Sequence, residues 1–581
     1  MKKKIVIVGG VAGGMSAAAR ARRLSEEAEI IVLERSGHVS YANCGLPYYI
    51  GGEISSQRDL LVVTPELLKS KLNLDIRTHN EVIWIDRETK TVTVKNTVTE
   101  LTYDETFDEL ILSIGAAPIR PNFAGIDQRG IFSLRNIEDV EAIDSWIRNM
   151  APATAVIAGG GFIGLEMAEQ LARRGLSVTL VDVKDQVLAP IDPEMATIVH
   201  DEMRKNGIRL ILGKPIAGFR EPAFNPGVGA DGRSPESCWV EVGDSTWIPA
   251  DLVILGLGVR PEVKLARSAK IDIGERGGIR VNEHMQTSVP NIWAVGDAVE
   301  VWHPVSKTWT LIALGGPANR QGRIAADNIF GHETKYDGTL GTAILRVFDL
   351  AVACVGLNEG QLRQAKLPYE VVHIHPSHHA GYYPGAARLD MKVIFDAQTG
   401  MLLGAQVIGK EGADKRIDVL ATAIKSRMTI RDLAELELAY APPFGSAKDP
   451  INLAGMAGSN ILDGYVEQVQ WHELQEELNF ANVCVLDVRS KEERSRGFIE
   501  DSVHIPLPEL RTRMRELQPE KTVVVYCQSG QRSYMACRQL KQHGFNVKNL
   551  SGGYLTYRLN PQAQQNAAPV NRQAAVTPIH A

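Results

Sequence analysis

The strongest constraint on the fold of this chain is a strand–turn–helix–strand pattern that occurs twice. In the first copy the apolar run Lys4–Val8 enters a glycine turn at residues 9–14. An Ala/Arg-rich helix follows, then a second apolar run, Glu29–Leu33, ending at Glu34. In the second copy the run 155–158 enters a turn at 159–164, a helix follows, and Ser177–Val181 ends at Asp182. Short unbroken apolar runs bounded by glycine turns read as strands buried on both faces, and their alternation with helices predicts parallel sheets. Two such units predict two dinucleotide sites.

The second turn carries the full spacing G-x-G-x-x-G at Gly159, Gly161 and Gly164. In such a turn the first glycine bends the chain, the second admits a pyrophosphate, and the third lets helix meet strand. The helix N-terminus adds amide donors for the phosphates. Asp182, eighteen residues beyond Gly164, is placed to take both ribose hydroxyls. Its charge would repel a 2′-phosphate, so NADH is expected in preference to NADPH. The first turn keeps the outer glycines, Gly9 and Gly14, but has Val11 in the middle. Alone it is also compatible with a purely structural glycine turn. Glu34, twenty residues past Gly14, favours the nucleotide reading.

At 581 residues the chain is too long for one core. Its 44% hydrophobic and 23% charged residues, with formal charge -6, give no general footprint for nucleic acid. No apolar run approaches the roughly 20 residues needed to cross a bilayer. The lysine-rich start followed by a run that stops at Gly9 reads as a first strand rather than a secretion signal, so a cytoplasmic protein is expected. The cysteines at 44, 238, 354, 484, 527 and 537 form no C-x-x-C pair, which argues against a zinc site, and no metal is expected. The polar segment 224–237 reads as a surface loop. Small, polar residues at 455–464 suggest a linker, and those after 560 a disordered tail.

Three further motifs carry a resemblance. Residues 287–297, Thr-Ser-Val-Pro-Asn-Ile-Trp-Ala-Val-Gly-Asp, resemble the second flavin signature of the pyridine nucleotide-disulfide oxidoreductases, and residues 113–118 resemble their connecting motif. The resemblance implies FAD in the first site, with Asp297 on its ribityl chain, and NAD in the second. The segment 40–49, Ser-Tyr-Ala-Asn-Cys-Gly-Leu-Pro-Tyr-Tyr, holds a single cysteine, Cys44, with Tyr49 where a second sulfur would most simply stand. With residues 315–323 and 438–443 it resembles the coenzyme A-disulfide reductases and their NADH oxidase and peroxidase cousins.

That resemblance implies a homodimer in which the lone thiol works over the flavin and tyrosines of a second copy reach it. Tyr440 and Tyr382, the latter preferred over Tyr383, match those positions. It also implies CoA contacts from Arg20 and Arg23, with Ser40, Asn43 and Lys71 as further substrate-binding candidates. Phe162 matches an aromatic gate at the nicotinamide, with Glu166 one helical turn on.

The physical logic of the thiol stands beside this. A thiolate is the attacking species, and a helix N-terminus or a cation would lower its pKa. Near the C-terminus, a strand runs into Cys527-Gln-Ser-Gly-Gln-Arg532 and then a helix. Successive N–H groups in such a loop form an anion nest, to which Arg532 adds charge, so Cys527 is a candidate persulfide carrier. With residues 486–489 and 504–507 this resembles single-domain rhodaneses.

The expected architecture is α/β: two Rossmann-like nucleotide-binding domains (FAD, 1–121 and 255–330; NAD, 122–254), an α+β dimerisation domain (335–455), a rhodanese-like α/β domain (466–560) and a tail (561–581). The combination resembles coenzyme A-disulfide reductase–rhodanese proteins. It implies NADH-dependent reduction of CoA persulfide or polysulfide, with catalytic roles for Cys44, Cys527, Arg532, Tyr382 and Tyr440. CoA-disulfide reduction, sulfur donation to a partner protein, and an NADH oxidase or peroxidase activity remain alternatives.

Overall fold

A computed structural model of the chain describes residues 3–220, 238–243, 245–478 and 482–561. The expected loop at 224–237 and residues 562–581 of the expected tail lie outside the described residues. The chain divides into two compact units, one of Met1–Val187 with Asn206–Gly341, the other of Leu188–Lys205 with Thr342–Ala581.

The first unit contains both predicted βαβ patterns. One parallel sheet runs Ile292–Ala294, Glu109–Leu112, Lys4–Val8, Glu29–Leu33, Asp75–Arg77. The other runs Arg209–Ile211, Ser177–Val181, Thr154–Ala158, Leu252–Leu255, Ile131–Phe132, also all parallel. In each, the strand that leads into the glycine turn is central and buried past its first residue, which is why residues 5–8 and 155–158 are apolar without alternation. Each sheet is accompanied by a three-stranded antiparallel meander, Asn80–Asp86 to Thr102–Thr106 and Ile216–Arg220 to Thr246–Ala250. The duplication therefore extends beyond the turns that announce it.

The second unit holds an antiparallel sheet in the order Ala343–Val347, Leu350–Gly356, Leu402–Gly409, Leu389–Asp396, Tyr369–Ile374. The helix Pro193–Lys205 packs on the first three of these strands. It also holds a parallel sheet in the order Glu467–Val469, Val547–Leu550, Thr522–Tyr526, Val483–Asp487, Val503–His504.

The composition of 455–464 points to a linker, but most of it belongs to the helix Pro450–Leu462. The small residues serve close packing. A Cβ at Gly455 would lie 2.3 Å from Ala434 N, and one at Gly458 2.2 Å from Ile430 Cγ1. Glycine is there because the helix Ile430–Glu435 lies against it, not because the chain must be loose.

Candidate active site

The two glycine turns are superposable in their contacts. Gly9 and Gly159 have φ of +98° and +103°, and a Cβ at Gly14 or Gly164 would lie 1.9 Å from the carbonyl oxygen of Gly9 or Gly159. The acidic residue ending the second strand folds back on each turn. Gly10 N–H donates to Glu34 Oε2 at 2.8 Å, and Gly160 N–H to Asp182 Oδ2 at 2.6 Å. The middle position explains the imperfect first motif. Val11 and Gly161 both have ordinary negative φ, and a Cβ at Gly161 meets nothing within 4 Å, so valine costs the backbone nothing here. Open cradles with a carboxylate beside the turn fit the dinucleotides expected at both sites.

The thiol segment is fastened to the second turn's helix, Phe162–Arg173. Cys44 lies in the single turn Asn43–Gly45, and the short helix Leu46–Ile50 packs on Phe162–Arg173. Tyr48 Oη donates to Glu166 Oε1 at 3.1 Å, and Arg174 Nη1 donates to Ile50 O at 2.8 Å. Asp297 sits in the turn Gly296–Ala298, whose Gly296 N–H donates to the buried Gln321 Oε1 at 2.7 Å. The structure thus brings Cys44, Glu166 and Asp297 into one electrostatic neighbourhood. Phe162 begins the helix, half-buried.

Cys44 is exposed, yet its thiol is pushed up rather than down. Partial desolvation is the main cause, and the Glu166 and Asp297 carboxylates add to it; only its own backbone N–H acts the other way. No cation among the described residues performs the expected lowering. Burial also raises Asp297, against the pull of Arg135. Replacing Glu166 by Gln will therefore move the pH profile of Cys44 alkylation in the flavin-loaded protein to lower pH. Peptide-level mass spectrometry across pH 6–10 reads this, and an unmoved profile would remove Glu166 from the thiol's surroundings.

The cations expected to contact CoA differ in how far they are engaged within the chain. Arg20 Nε is 2.5 Å from Asp327 Oδ1, so its charge is already matched on the neighbouring helix Gly315–Ile329. Arg22 is buried and donates to the carbonyl oxygens of Ser25, Glu26, Leu72 and Asn73, which makes it a structural clamp. Arg23 and Lys71 are exposed, as is Asn43. Ser40 is held at φ +50° by donating its N–H to Gly10 O and accepting from Val62 N–H, which ties the thiol segment to the first glycine turn.

In the second unit Tyr382 and Tyr440 are 73% and 49% exposed, and their hydroxyls lie 3.4 Å apart. Tyr383 instead packs edge-on against His379, which separates the two candidates.

Cys527 follows the strand Thr522–Tyr526 and precedes the helix Gln531–Gln542. It is 0% exposed, and its Sγ accepts from Gly530 N–H at 3.2 Å and from Ser533 Oγ at 3.4 Å. Arg532 is shared between the loop and Glu493: its charge and a side-chain hydrogen bond reach Cys527. Its two terminal nitrogens bind Glu493 at 2.7 and 2.6 Å. Glu493, Ser533 and Tyr48 were not singled out by sequence. Tyr48 lies inside the segment quoted for Cys44 and Ser533 directly follows the loop quoted for Cys527, so adjacency is the signal that points to them.

The chain belongs to the pyridine nucleotide-disulphide oxidoreductase family, whose model matches residues 3–322; the family's dimerisation domain matches 342–449 and a rhodanese-like domain 470–559. Among curated relatives, a coenzyme A disulfide reductase of Staphylococcus haemolyticus is 36% identical over 462 residues, 79% of this chain and 100% of that protein. Among solved structures, reduced Bacillus anthracis CoADR-RHD is 48% identical with a TM-score of 0.92, covering 96% of this chain and 98% of that one. A NAD-dependent persulfide reductase from A. fulgidus is 36% identical with a TM-score of 0.87, covering 95% and 100%. No helix among the described residues is long and apolar enough to cross a membrane.

Proposed function

We propose that this chain is a flavoprotein that uses NADH to reduce sulfane sulfur carried on coenzyme A, CoA persulfide above all, with the rhodanese-like domain handling persulfide sulfur at Cys527. The observation that carries this is a lone Cys44 whose electrostatic surroundings include both Asp297 and Glu166, with all six cysteines free. The names of two solved relatives that span nearly the whole chain support the substrate class.

The Cys44 thiolate attacks the CoA-side sulfur of the persulfide. The S–S bond breaks, hydrosulfide leaves with its electron pair, and Cys44 is left joined to CoA. FAD, when bound, would supply the electron pair from NADH that, with one proton, releases the mixed disulfide as the Cys44 thiolate and the CoA thiol. Gly9, Gly14 and Glu34 hold the flavin nucleotide; Gly159, Gly161, Gly164 and Asp182 hold NADH, and Phe162 covers the nicotinamide pocket. Ser40, Asn43 and the free cations Arg23 and Lys71 receive CoA, with Arg20 reaching it only through exchange with Asp327. The exposed Tyr382–Tyr440 pair is offered to a second copy in a homodimer, where a phenol donates to the leaving thiolate. Six unpaired thiols suit a reducing, cytoplasmic setting.

Comparing NADH-dependent turnover of CoA persulfide and CoA disulfide tests the reading. Persulfide is expected to give the higher kcat/KM, by roughly tenfold or more, a difference of about 1.4 kcal/mol in transition-state stabilisation. The reverse order would make the chain a CoA-disulfide reductase. In the Cys527→Ser variant persulfide reduction should fall; if it stayed at the original rate while sulfur transfer ceased, the rhodanese-like domain would serve a partner protein instead.

A further inference from the structure

Two acid–imidazole–hydroxyl chains in the second unit join its antiparallel sheet to the backbone behind Cys527. In one, Asp390 Oδ1 lies 2.5 Å from His375 Nδ1, and His375 Nε2 lies 2.8 Å from Thr556 Oγ1. In the other, Glu194 Oε1 lies 3.1 Å from His373 Nε2, while His373 N and Nδ1 lie 3.4 and 3.3 Å from Ser551 Oγ. Glu194 is fixed in turn by Lys392 Nζ at 2.6 Å and Trp471 Nε1 at 3.2 Å. A carboxylate only accepts, so the His375 nitrogen facing Asp390 carries the proton. Burial holds His375 below its usual range, which leaves Nε2 to accept from the Thr556 hydroxyl. Ser551 and Thr556 are 0% and 1% exposed, so these hydroxyls are fasteners and not nucleophiles.

The segment between them backs the Cys527 loop. Tyr554 N–H donates to Cys527 O at 2.8 Å and Leu555 N–H to Gln528 O at 2.9 Å. A Cβ at Gly553 would lie 2.5 Å from Cys527 O and 2.8 Å from Gly530 N, so backbone rests directly on backbone. Gly530 N–H is the same group that donates to Cys527 Sγ. In close-packed surroundings a shift at Ser551 or Thr556 passes to that donor without slack.

We propose that His373 and His375 are positioning residues for sulfur transfer at Cys527. Through Ser551 and Thr556 they fix the backbone that aligns Cys527 Sγ with Gly530 N–H. The inference deepens, and rests on, the sulfur-handling role given to Cys527. Alignment of this kind governs rate more than binding, because small displacements of reacting atoms are costly.

The test uses the full-length, flavin-loaded protein with thiosulfate and cyanide as probes. The Cys527 thiolate takes the outer sulfur of thiosulfate, and sulfite leaves with the electrons of the broken S–S bond. Cyanide then takes that sulfur as thiocyanate and restores the thiolate. Thr556→Val keeps the shape and removes the hydroxyl. Its kcat should fall about tenfold while KM for thiosulfate changes less than about twofold, and Thr556→Ser should restore kcat. The pH profile of Cys527 alkylation by iodoacetamide, followed on its peptide, should shift in Thr556→Val and return in Thr556→Ser. Ser551→Ala carries the same expectation should Thr556→Val not fold. Unchanged kcat and an unmoved alkylation profile would overturn the proposal, as would a loss that Thr556→Ser does not repair. If the unaltered protein forms no thiocyanate, the sulfur-transfer reading fails by itself, and the alkylation profile still decides the positioning claim.

Discussion

Replacing Cys44 by serine will lower NADH-dependent reduction of CoA persulfide by roughly three orders of magnitude or more, with flavin content retained and thiocyanate formation at Cys527 intact. Serine fits the turn Asn43–Gly45 without steric change, but its hydroxyl is a far poorer nucleophile than a thiolate and cannot hold a disulfide. No other thiol of the first unit can replace it: Cys238 is buried, with its pKa pushed up to about 11 by desolvation. Cys354, in the second unit, is buried likewise and pushed to about 12. The flavin should remain, because the first glycine turn and Glu34 are built independently of the sulfur. Stopped-flow oxidation of NADH with CoA persulfide, beside a flavin absorbance spectrum, reads both halves of the expectation. Persulfide reduction at the original rate by a flavin-replete Cys44→Ser protein would end the proposed mechanism.

What could be read in the sequence was what local periodicity encodes. The two βαβ patterns are written in contiguous residues, and so is the strand–loop–helix around Cys527; in each the structure places the strands where the apolar runs fall. Long-range pairing was out of reach. The three-residue spacing of Arg20 and Arg23 shows a shared helix face, but nothing near them in the chain marks Asp327 as the partner that claims Arg20. Arg532 is visible next to the loop, whereas Glu493, which binds it, lies 39 residues away in the chain. The small residues of 455–464 carry two meanings, looseness and close helix contact, and only the packing of Ile430 and Ala434 against Gly455 and Gly458 selects the second. The same holds for pKa. The Cys44 motif announces a reactive thiol, yet the direction of its shift depends on Glu166 and Asp297, which approach from distant segments.

Replacing Lys392 by Met will destabilise the second unit by about 3–5 kcal/mol near neutral pH, the expected cost of leaving buried charges without their partner. Lys392 is 0% exposed, and its ammonium lies 2.8 Å from Asp192 Oδ2, 2.6 Å from Glu194 Oε1 and 2.5 Å from Glu359 Oε1. Three donors meet three carboxylates, and the cation fills the space a metal ion would need. Lys392 is raised by these carboxylates despite its burial, and Glu194 and Glu359 are lowered by it despite theirs, while burial raises Asp192. The raised lysine contributes stability present below its unfolded pKa and lost as pH climbs through the folded one. The depressed glutamates contribute stability present above their unfolded pKa of ~4.3 and lost as pH falls through the folded values. In Lys392→Met the glutamates lose their cation and take up protons more readily, Asp192 first among the three. The deficit will therefore be largest at neutral and alkaline pH and shrink as pH falls toward 5. Calorimetry of the original and Lys392→Met proteins at pH 5 and pH 8 measures it as a difference in Tm of the second unit's transition. An equal deficit at both pH values would mean that lost packing around the lysine stem, and not uncompensated charge, is what Lys392 prevents.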